Sequence, residues 1–115
     1  MNTAGVDGCR GGWICTGTRS GQIAETGIYS VFADRIRAWP SAIVAVDIPI
    51  GLPSLGSRDC DRLARRLLGP RRASVFPAPL ISLLGSASQR EASERRRRID
   101  GVGISIESFN ILAKV

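Results

Sequence analysis

Apolar and polar residues alternate over the first third of the chain, which is typical of β-strands. The first strand is short, because the apolar residues 4–6 lead directly to Asp7 and a glycine-rich segment at 8–12. Residues 13–18 then alternate with a period of two, and residues 22–31 are rich in β-branched and aromatic side chains. Since such alternation places successive side chains on opposite faces of a sheet, we predict three sequential antiparallel strands.

After the third strand the periodicity changes to that of a helix and then returns to that of a strand. Phe32, Ile36 and Trp39 fall on one face of a short helix. The residues at 42–48 are apolar except for Asp47. A strand covered on both faces has this composition, so we predict a central parallel strand that is reached through a helical crossover.

The second half of the chain has helical periodicity. Residues 57–69 form an amphipathic pattern, and we expect its apolar stripe to be buried and its arginines to face solvent. Ser88 and Glu91 have the spacing of a capping box at the start of a further helix, which ends in the arginine cluster at 95–98. Residues 105–115 begin a last helical pattern. In the pattern at 57–69, the apolar stripe consists of Cys60, Leu63, Ala64, Leu67 and Leu68.

The net charge of +6 is carried entirely by the second half. Residues 1–57 contain four arginines and four acids, whereas residues 58–115 contain twelve cations and six acids. Fifteen of the sixteen cations are arginine, whose planar guanidinium binds phosphate or carboxylate in a bidentate manner. This half therefore indicates a surface for polyanions, with a solvated arginine-rich face as the alternative interpretation.

The chain has no histidine, which excludes catalytic triads of the Ser-His-Asp or Cys-His type and histidine-based zinc sites. Cys9, Cys15 and Cys60 have no metal-binding spacing, and we expect buried free thiols in a reducing compartment. No apolar run approaches the roughly 18 residues of a membrane span, and the first residues lack a secretory pattern. We therefore expect a cytoplasmic protein that does not enter membranes.

Asp7 and Asp47 each end an apolar strand segment, so we expect both carboxylates to be buried. A buried carboxylate is costly unless it is paired, hydrogen-bonded or bound to a cation. If the two strands are neighbours, both acids lie at one edge of the sheet and can share a divalent ion, for which oxygen ligands favour Mg²⁺ or Mn²⁺. The alternative is that each acid caps the turn that follows it.

A series of short motifs runs in order along almost the whole chain. The motifs comprise residues 5–13, 47–53, Arg58, 60–61, 64–65, 68–69, 71–72, 74–79 and 109–112. They resemble the family called domain of unknown function 429, whose members are regarded as predicted nucleases with a ribonuclease H-like fold. The resemblance implies an α/β fold in which a three-stranded antiparallel meander and a parallel strand are flanked by helices. It also implies that residues 1–115 are one domain that is incomplete at its C-terminus, with a sheet part at 1–53 and a basic helical part at 54–115.

The resemblance further implies a site. Asp7 and Asp47 match the positions at which ribonuclease H-like enzymes hold two metal ions, here Mg²⁺ or Mn²⁺, for phosphodiester hydrolysis. Asp61 is a candidate additional acid, and the partner would be nucleic acid or a phosphorylated small molecule. The candidate phosphate-binding residues are Arg10, Arg58, Arg65, Arg71, Arg72 and Ser74.

Two other classes of function remain open at the level of sequence. The chain would be a non-catalytic nucleic-acid-binding module or a truncated remnant if its metal site is incomplete. It would be a nucleotide-binding phosphotransferase of the actin or sugar-kinase type if the glycine-rich segment at 8–12 cradles phosphates, although no G-x-x-x-x-G-K-[ST] motif is present.

Overall fold

Four strands, four α-helices and two 3₁₀-helices form the structure, a computed structural model that describes all residues, Met1–Val115. They divide between two compact units, Met1–Ile48 and Pro49–Val115. None of the helices combines the length and the apolar composition needed to cross a membrane.

The first unit is a mixed four-stranded sheet with one helix. Its elements are β1 (Asn2–Cys9), β2 (Gly12–Arg19), β3 (Gln22–Tyr29), α1 (Phe32–Ala38) and β4 (Ile43–Asp47). The sheet has the order β3-β2-β1-β4, in which β1 pairs antiparallel with β2 and parallel with β4, and β2 pairs antiparallel with β3. The predicted α/β class, antiparallel meander and parallel strand are confirmed.

One face of this sheet holds the core of the first unit. Ala4, Val6, Trp13 and Cys15 are buried there, and the ring of Phe32 in α1 lies 5.0 Å from that of Trp13. The residues that alternate with them point to the opposite face, as the period of a strand requires. Helix α1 therefore covers one face of the sheet only.

A buried arginine joins α1 to the covered face. Arg35 is only 2% exposed, and its Nε donates a hydrogen bond to Sγ of Cys15. Its guanidinium carbon lies 5.3 Å from the ring centre of Tyr29 and 4.7 Å from that of Trp39. The planar cation is thus held mainly by aromatic faces.

The predicted central position of the parallel strand is wrong. Strand β4 is the edge strand of the sheet, with β1 as its sole neighbour. Val44 and Val46 are half-buried on the covered face, whereas Ile43, Ala45 and Asp47 are exposed on the other. The apolar composition of 42–48 reports what the strand can pack against and does not fix how many neighbouring strands it has.

The second unit is helical. Its core consists of Leu80, Leu83, Ala92, Ile104 and Leu112. The predicted cap at Ser88 is confirmed, because the backbone N–H of Glu91 donates to Oγ of Ser88 at 3.2 Å at the start of the helix Gln89–Asp100. The returning bond differs from that of a capping box, since Glu91 accepts from the N–H of Ala87 at 2.8 Å and not from that of Ser88. The elements are α2 (Asp59–Leu68), a 3₁₀-helix (Gly69–Ser74), a second 3₁₀-helix (Ile81–Leu83), α3 (Gln89–Asp100) and α4 (Ile106–Leu112).

The predicted burial of the apolar stripe of α2 is wrong. Leu67 is 89% exposed, and Leu63 and Leu68 are exposed with it. The opposite face of the helix points inward, because Asp61 is buried in an ion pair with Arg58. Amphipathic periodicity identifies two faces of a helix, and here polar contacts determine which of them is covered.

The three cysteines are free thiols in three different environments. Cys15 is buried, Cys9 is half-buried and Cys60 is exposed on α2. The expectation of buried thiols is therefore met by Cys15 and only in part by Cys9, and it is wrong for Cys60, which lies on the outward-facing stripe of its helix.

Candidate functional site

Asp7 and Asp47 are direct partners in the parallel register of β1 and β4. Neighbouring strands lie about 4.8 Å apart, so the two carboxylates leave the sheet side by side. Strand β1 continues to Cys9, which places Asp7 within the strand and not at its end. Both residues are exposed, so the expected burial of the two acids is wrong.

Neither carboxylate accepts a hydrogen bond from the chain, and neither forms an ion pair. The alternative in which each acid caps the following turn is therefore not what the structure shows. Like charges directly opposite each other on neighbouring strands are destabilising. No cation of the chain pairs with either carboxylate to offset this repulsion.

A shallow depression lies beside the pair on the same face of the sheet. It has a volume of about 580 Å³ and is lined by Asp7, Asp47, Gly5, Ala45, Ile14, Thr16, Val6 and Val46. Gly5 pairs with Ala45 on one side and with Thr16 on the other. A Cβ at Gly5 would meet nothing within 4 Å, so the small residues leave the floor of this depression open.

The candidate phosphate ligands divide between the two units. Arg10 is exposed in the tight turn between β1 and β2, directly after Cys9. All the other candidates belong to the second unit. They are Arg58, Arg65, Arg71, Arg72 and Ser74, together with the candidate acid Asp61.

Two of these arginines are occupied by structural contacts. Nε and Nη2 of Arg58 donate to both oxygens of Asp61 at 2.9 and 2.7 Å, and this pair lowers the pKa of the Asp61 carboxyl. Nε and Nη2 of Arg65 donate to the backbone carbonyl of Val75 at 3.1 and 2.7 Å. Asp61 is therefore the partner of an arginine, while Arg71, Arg72 and Ser74 remain exposed in the first 3₁₀-helix.

A family model described as "Protein of unknown function (DUF429)" matches residues 5–115. The chain belongs to this family. The match spans both units of the DUF429 chain, including Asp7, Asp47 and the arginines of the second unit. No curated protein and no solved structure matches the sequence.

The side chains of Asp7 and Asp47 in the DUF429 chain could supply two of the ligands of a hard divalent cation, but not a complete set. Mg²⁺ is commonly held by one or two carboxylates and completes its coordination with water and substrate oxygens. Asp7 and Asp47 provide such a pair, and both are exposed. No group of three or more His, Cys, Asp or Glu side chains is arranged to hold a metal.

Sequence reasoning identified the acidic pair in the DUF429 chain but missed the depression next to it. The signal was available, because Gly5, Asp7 and the exposed residues of β4 alternate with buried ones. The open floor depends on the register that sets Gly5 beside Ala45. A register between two distant segments is not visible in either segment alone.

Proposed function

We propose that the protein is a divalent-metal-dependent phosphodiester hydrolase that acts as a nuclease and has a ribonuclease H-like fold. The observation that carries the proposal is the side-by-side placement of Asp7 and Asp47, with no internal partner, at one position of a parallel ladder. Family membership adds no activity to this, because the family is described as one of unknown function.

The strand order supports the fold that we propose. Three sequential antiparallel strands are followed by a helix and by a fourth strand that lies parallel to the first. This arrangement puts an acid of the first strand next to an acid of the fourth, which is the placement expected from the resemblance to ribonuclease H-like enzymes.

Asp7 and Asp47 would hold Mg²⁺ or Mn²⁺ between them. The bound ion would offset negative charge on a phosphodiester and favour loss of a proton from water near neutral pH. The two carboxylates would hold the cation beside the depression, whose floor at Gly5 leaves room for substrate atoms. With no histidine in the chain, no imidazole assists in this chemistry.

A non-catalytic nucleic-acid-binding module is the second candidate function. It is favoured by exposed arginines of the second unit that have no carboxylate partner, Arg71 and Arg72 among them. The phosphotransferase alternative stays a prediction, because it too expects a hairpin at this point, where Cys9 pairs with Gly12.

The test is a comparison of two double variants that remove the same charge. Mn²⁺ binding by calorimetry and cleavage of a labelled oligonucleotide are measured for Asp7→Asn with Asp47→Asn. The control is Asp34→Asn with Asp59→Asn, two exposed acids that pair with Arg37 and Arg62. We expect the first variant to lose binding and cleavage and the control to keep both. Unchanged Mn²⁺ binding in the first variant contradicts the metal site. A wild-type protein that binds Mn²⁺ and does not cleave the oligonucleotide contradicts the nuclease.

A further inference from the structure

The arginines of the second unit fall into two groups. Five of them form ion pairs with five of the six acids of this unit, and Arg65 binds a backbone carbonyl. The positive charge is therefore concentrated on the remaining exposed arginines, which form no ion pair. These are Arg66, Arg71, Arg72, Arg97 and Arg98.

Three of these unpaired arginines lie in one closed segment of chain. The double hydrogen bond from Arg65 to the carbonyl of Val75 joins α2 to the end of the first 3₁₀-helix. Arg66, Arg71 and Arg72 lie between these two residues, and no acid does. We call residues 65–76 the basic loop. The segment thus carries positive charge and no negative charge, and its two ends are joined by the bond from Arg65.

Phe76 ends the basic loop and is 51% exposed. The backbone is fixed on both sides of it, because Arg65 holds the carbonyl of Val75 and Oγ of Ser108 donates to the carbonyl of Pro77 at 2.7 Å. Ser108 is itself buried. The aromatic ring is thus presented to solvent from an anchored position and not from a free loop tip, although burying such a ring is favourable.

We propose that the basic loop binds single-stranded nucleic acid, with Arg66, Arg71 and Arg72 on the phosphates and Phe76 stacked on an unpaired base. Proteins that bind single strands combine a positive surface with aromatic side chains, since every base has a face on which a ring can stack. A duplex keeps its bases paired and offers Phe76 no such face. This inference rests on the proposed function in that it names the form of the substrate.

Binding is measured in EDTA, so that cleavage does not enter the result. The probes are a fluorescent single-stranded oligothymidylate, a duplex of equal length, and inorganic polyphosphate, which has charge but no bases. We expect Phe76→Ala to weaken oligothymidylate binding about 5- to 150-fold and to leave polyphosphate binding unchanged. The matched control is Ile81→Ala, because Ile81 is exposed to the same extent, 52%.

The arginines are tested in the same assay. Arg66→Ser, Arg71→Ser and Arg72→Ser in one variant should weaken both single-stranded and polyphosphate binding. The slope of log affinity against log salt should fall by up to about 2, at roughly 0.7 for each phosphate contact to a single strand. The control with equal charge removes Arg37, Arg62 and Arg90, which are exposed but paired with acids.

Each outcome decides between the interpretations. Equal losses for oligothymidylate and polyphosphate in Phe76→Ala, or no loss for either, overturn the stacking role, and tighter duplex binding overturns the single-strand preference. If Phe76→Ala does not fold, Phe76→Tyr and Phe76→Leu replace it, and stacking requires that only the tyrosine variant binds. If the wild type cleaves the oligonucleotide but Phe76→Ala binds oligothymidylate as well as the wild type does, this inference is overturned and the nuclease proposal is not. If Phe76→Ala weakens binding but the wild type cleaves nothing, this inference stands and the nuclease proposal is overturned.

Discussion

Asp7 and Asp47 are directly opposed in the only parallel strand pair of the sheet, and neither carboxylate receives a hydrogen bond. Opposed like charges weaken a sheet, so the position costs stability in the absence of a cation. The metal site that we propose would account for this cost. It also makes the site accessible to stability measurements that need no substrate.

Replacing one acid of the pair should therefore stabilise the metal-free protein. We expect Asp47→Asn to raise the free energy of unfolding in EDTA by about 0.2–1 kcal/mol, because it removes the opposed charge. If the pair binds Mg²⁺ as we propose, the ion should raise the melting temperature of the wild type, and the same variant should abolish this rise. Urea and thermal unfolding with and without Mg²⁺ measure both effects. A variant that is less stable in EDTA and still responds to Mg²⁺ contradicts the metal site, and Asp34→Asn is the control.

Much of the first unit could be predicted from the sequence because its signals are local. Alternation identified β1 to β3, and a helix between two strands favoured a parallel crossover that ends at Asp47. The position of β4 at the edge could not be predicted, since an apolar strand has the same sequence pattern whether it has one neighbouring strand or two. The sequence therefore predicted which two acids lie side by side, but it did not predict that both are exposed.

The second unit shows a different limit of sequence reasoning. The helix start at Ser88 could be predicted from a short-range signal, and the structure confirms Ser88 as the N-cap. The orientation of α2 depends on contacts of Arg58 and Arg65, whose partners include a carbonyl ten residues further along the chain. Periodicity contains no term for such contacts. Phe76 was missed for the same reason, because its exposure follows from anchors on either side.

Because the apolar stripe of α2 faces solvent, its leucines should contribute far less to the free energy of unfolding than the buried leucines of the same unit. Leu67 is 89% exposed, so Leu67→Ala should change the free energy of unfolding by less than about 0.5 kcal/mol. Leu83 is fully buried in the core of the same unit, and Leu83→Ala should cost about 2–5 kcal/mol. Urea denaturation of both variants measures the difference. A cost above about 2 kcal/mol for Leu67→Ala would show that the apolar stripe is packed.

The ion pair between Arg58 and Asp61 predicts acid sensitivity. Its hydrogen bonds lower the pKa of Asp61 below the ordinary value of 3.8 and raise the pKa of Arg58. A carboxyl with a depressed pKa contributes stability that is fully present above about pH 4 and is lost as the pH falls through the pKa of the folded state. The wild type should therefore lose stability in this acid range.

The matched variants for this prediction are two aspartates of the same helix. Asp61→Asn should cost about 1–3 kcal/mol at neutral pH and should flatten the loss of stability in acid. Asp59→Asn removes an ion pair whose aspartate side chain is 82% exposed, and we expect a cost below about 1 kcal/mol. Urea unfolding as a function of pH distinguishes them, and equal costs at neutral pH contradict a structural role for the Asp61 pair.

Two glycines of the sheet predict opposite effects of the same substitution. A Cβ at Gly5 would meet nothing within 4 Å, so Gly5→Ala should raise stability by about 0.4–1 kcal/mol through the unfolded state. A Cβ at Gly17 would lie 2.5 Å from the ring of Trp39, so Gly17→Ala should destabilise by about 1–3 kcal/mol. Thermal unfolding of the two variants tests the register of the sheet, and effects of the same sign contradict it.

The hydroxyl of Tyr29 donates a hydrogen bond to Glu25 on the same strand, and this contact can be read directly in a titration. The bond stabilises the neutral phenol and the charged carboxylate, so it raises the pKa of Tyr29 above 10.0 and lowers the pKa of Glu25. Because the chain contains one tyrosine, the absorbance change of the phenolate reports this group alone. In Glu25→Gln the acceptor is no longer charged, so the pKa of Tyr29 should move down towards 10.0. Glu107→Gln, in the second unit, is the control that should leave it in place, and an unchanged tyrosine titration in Glu25→Gln contradicts the contact.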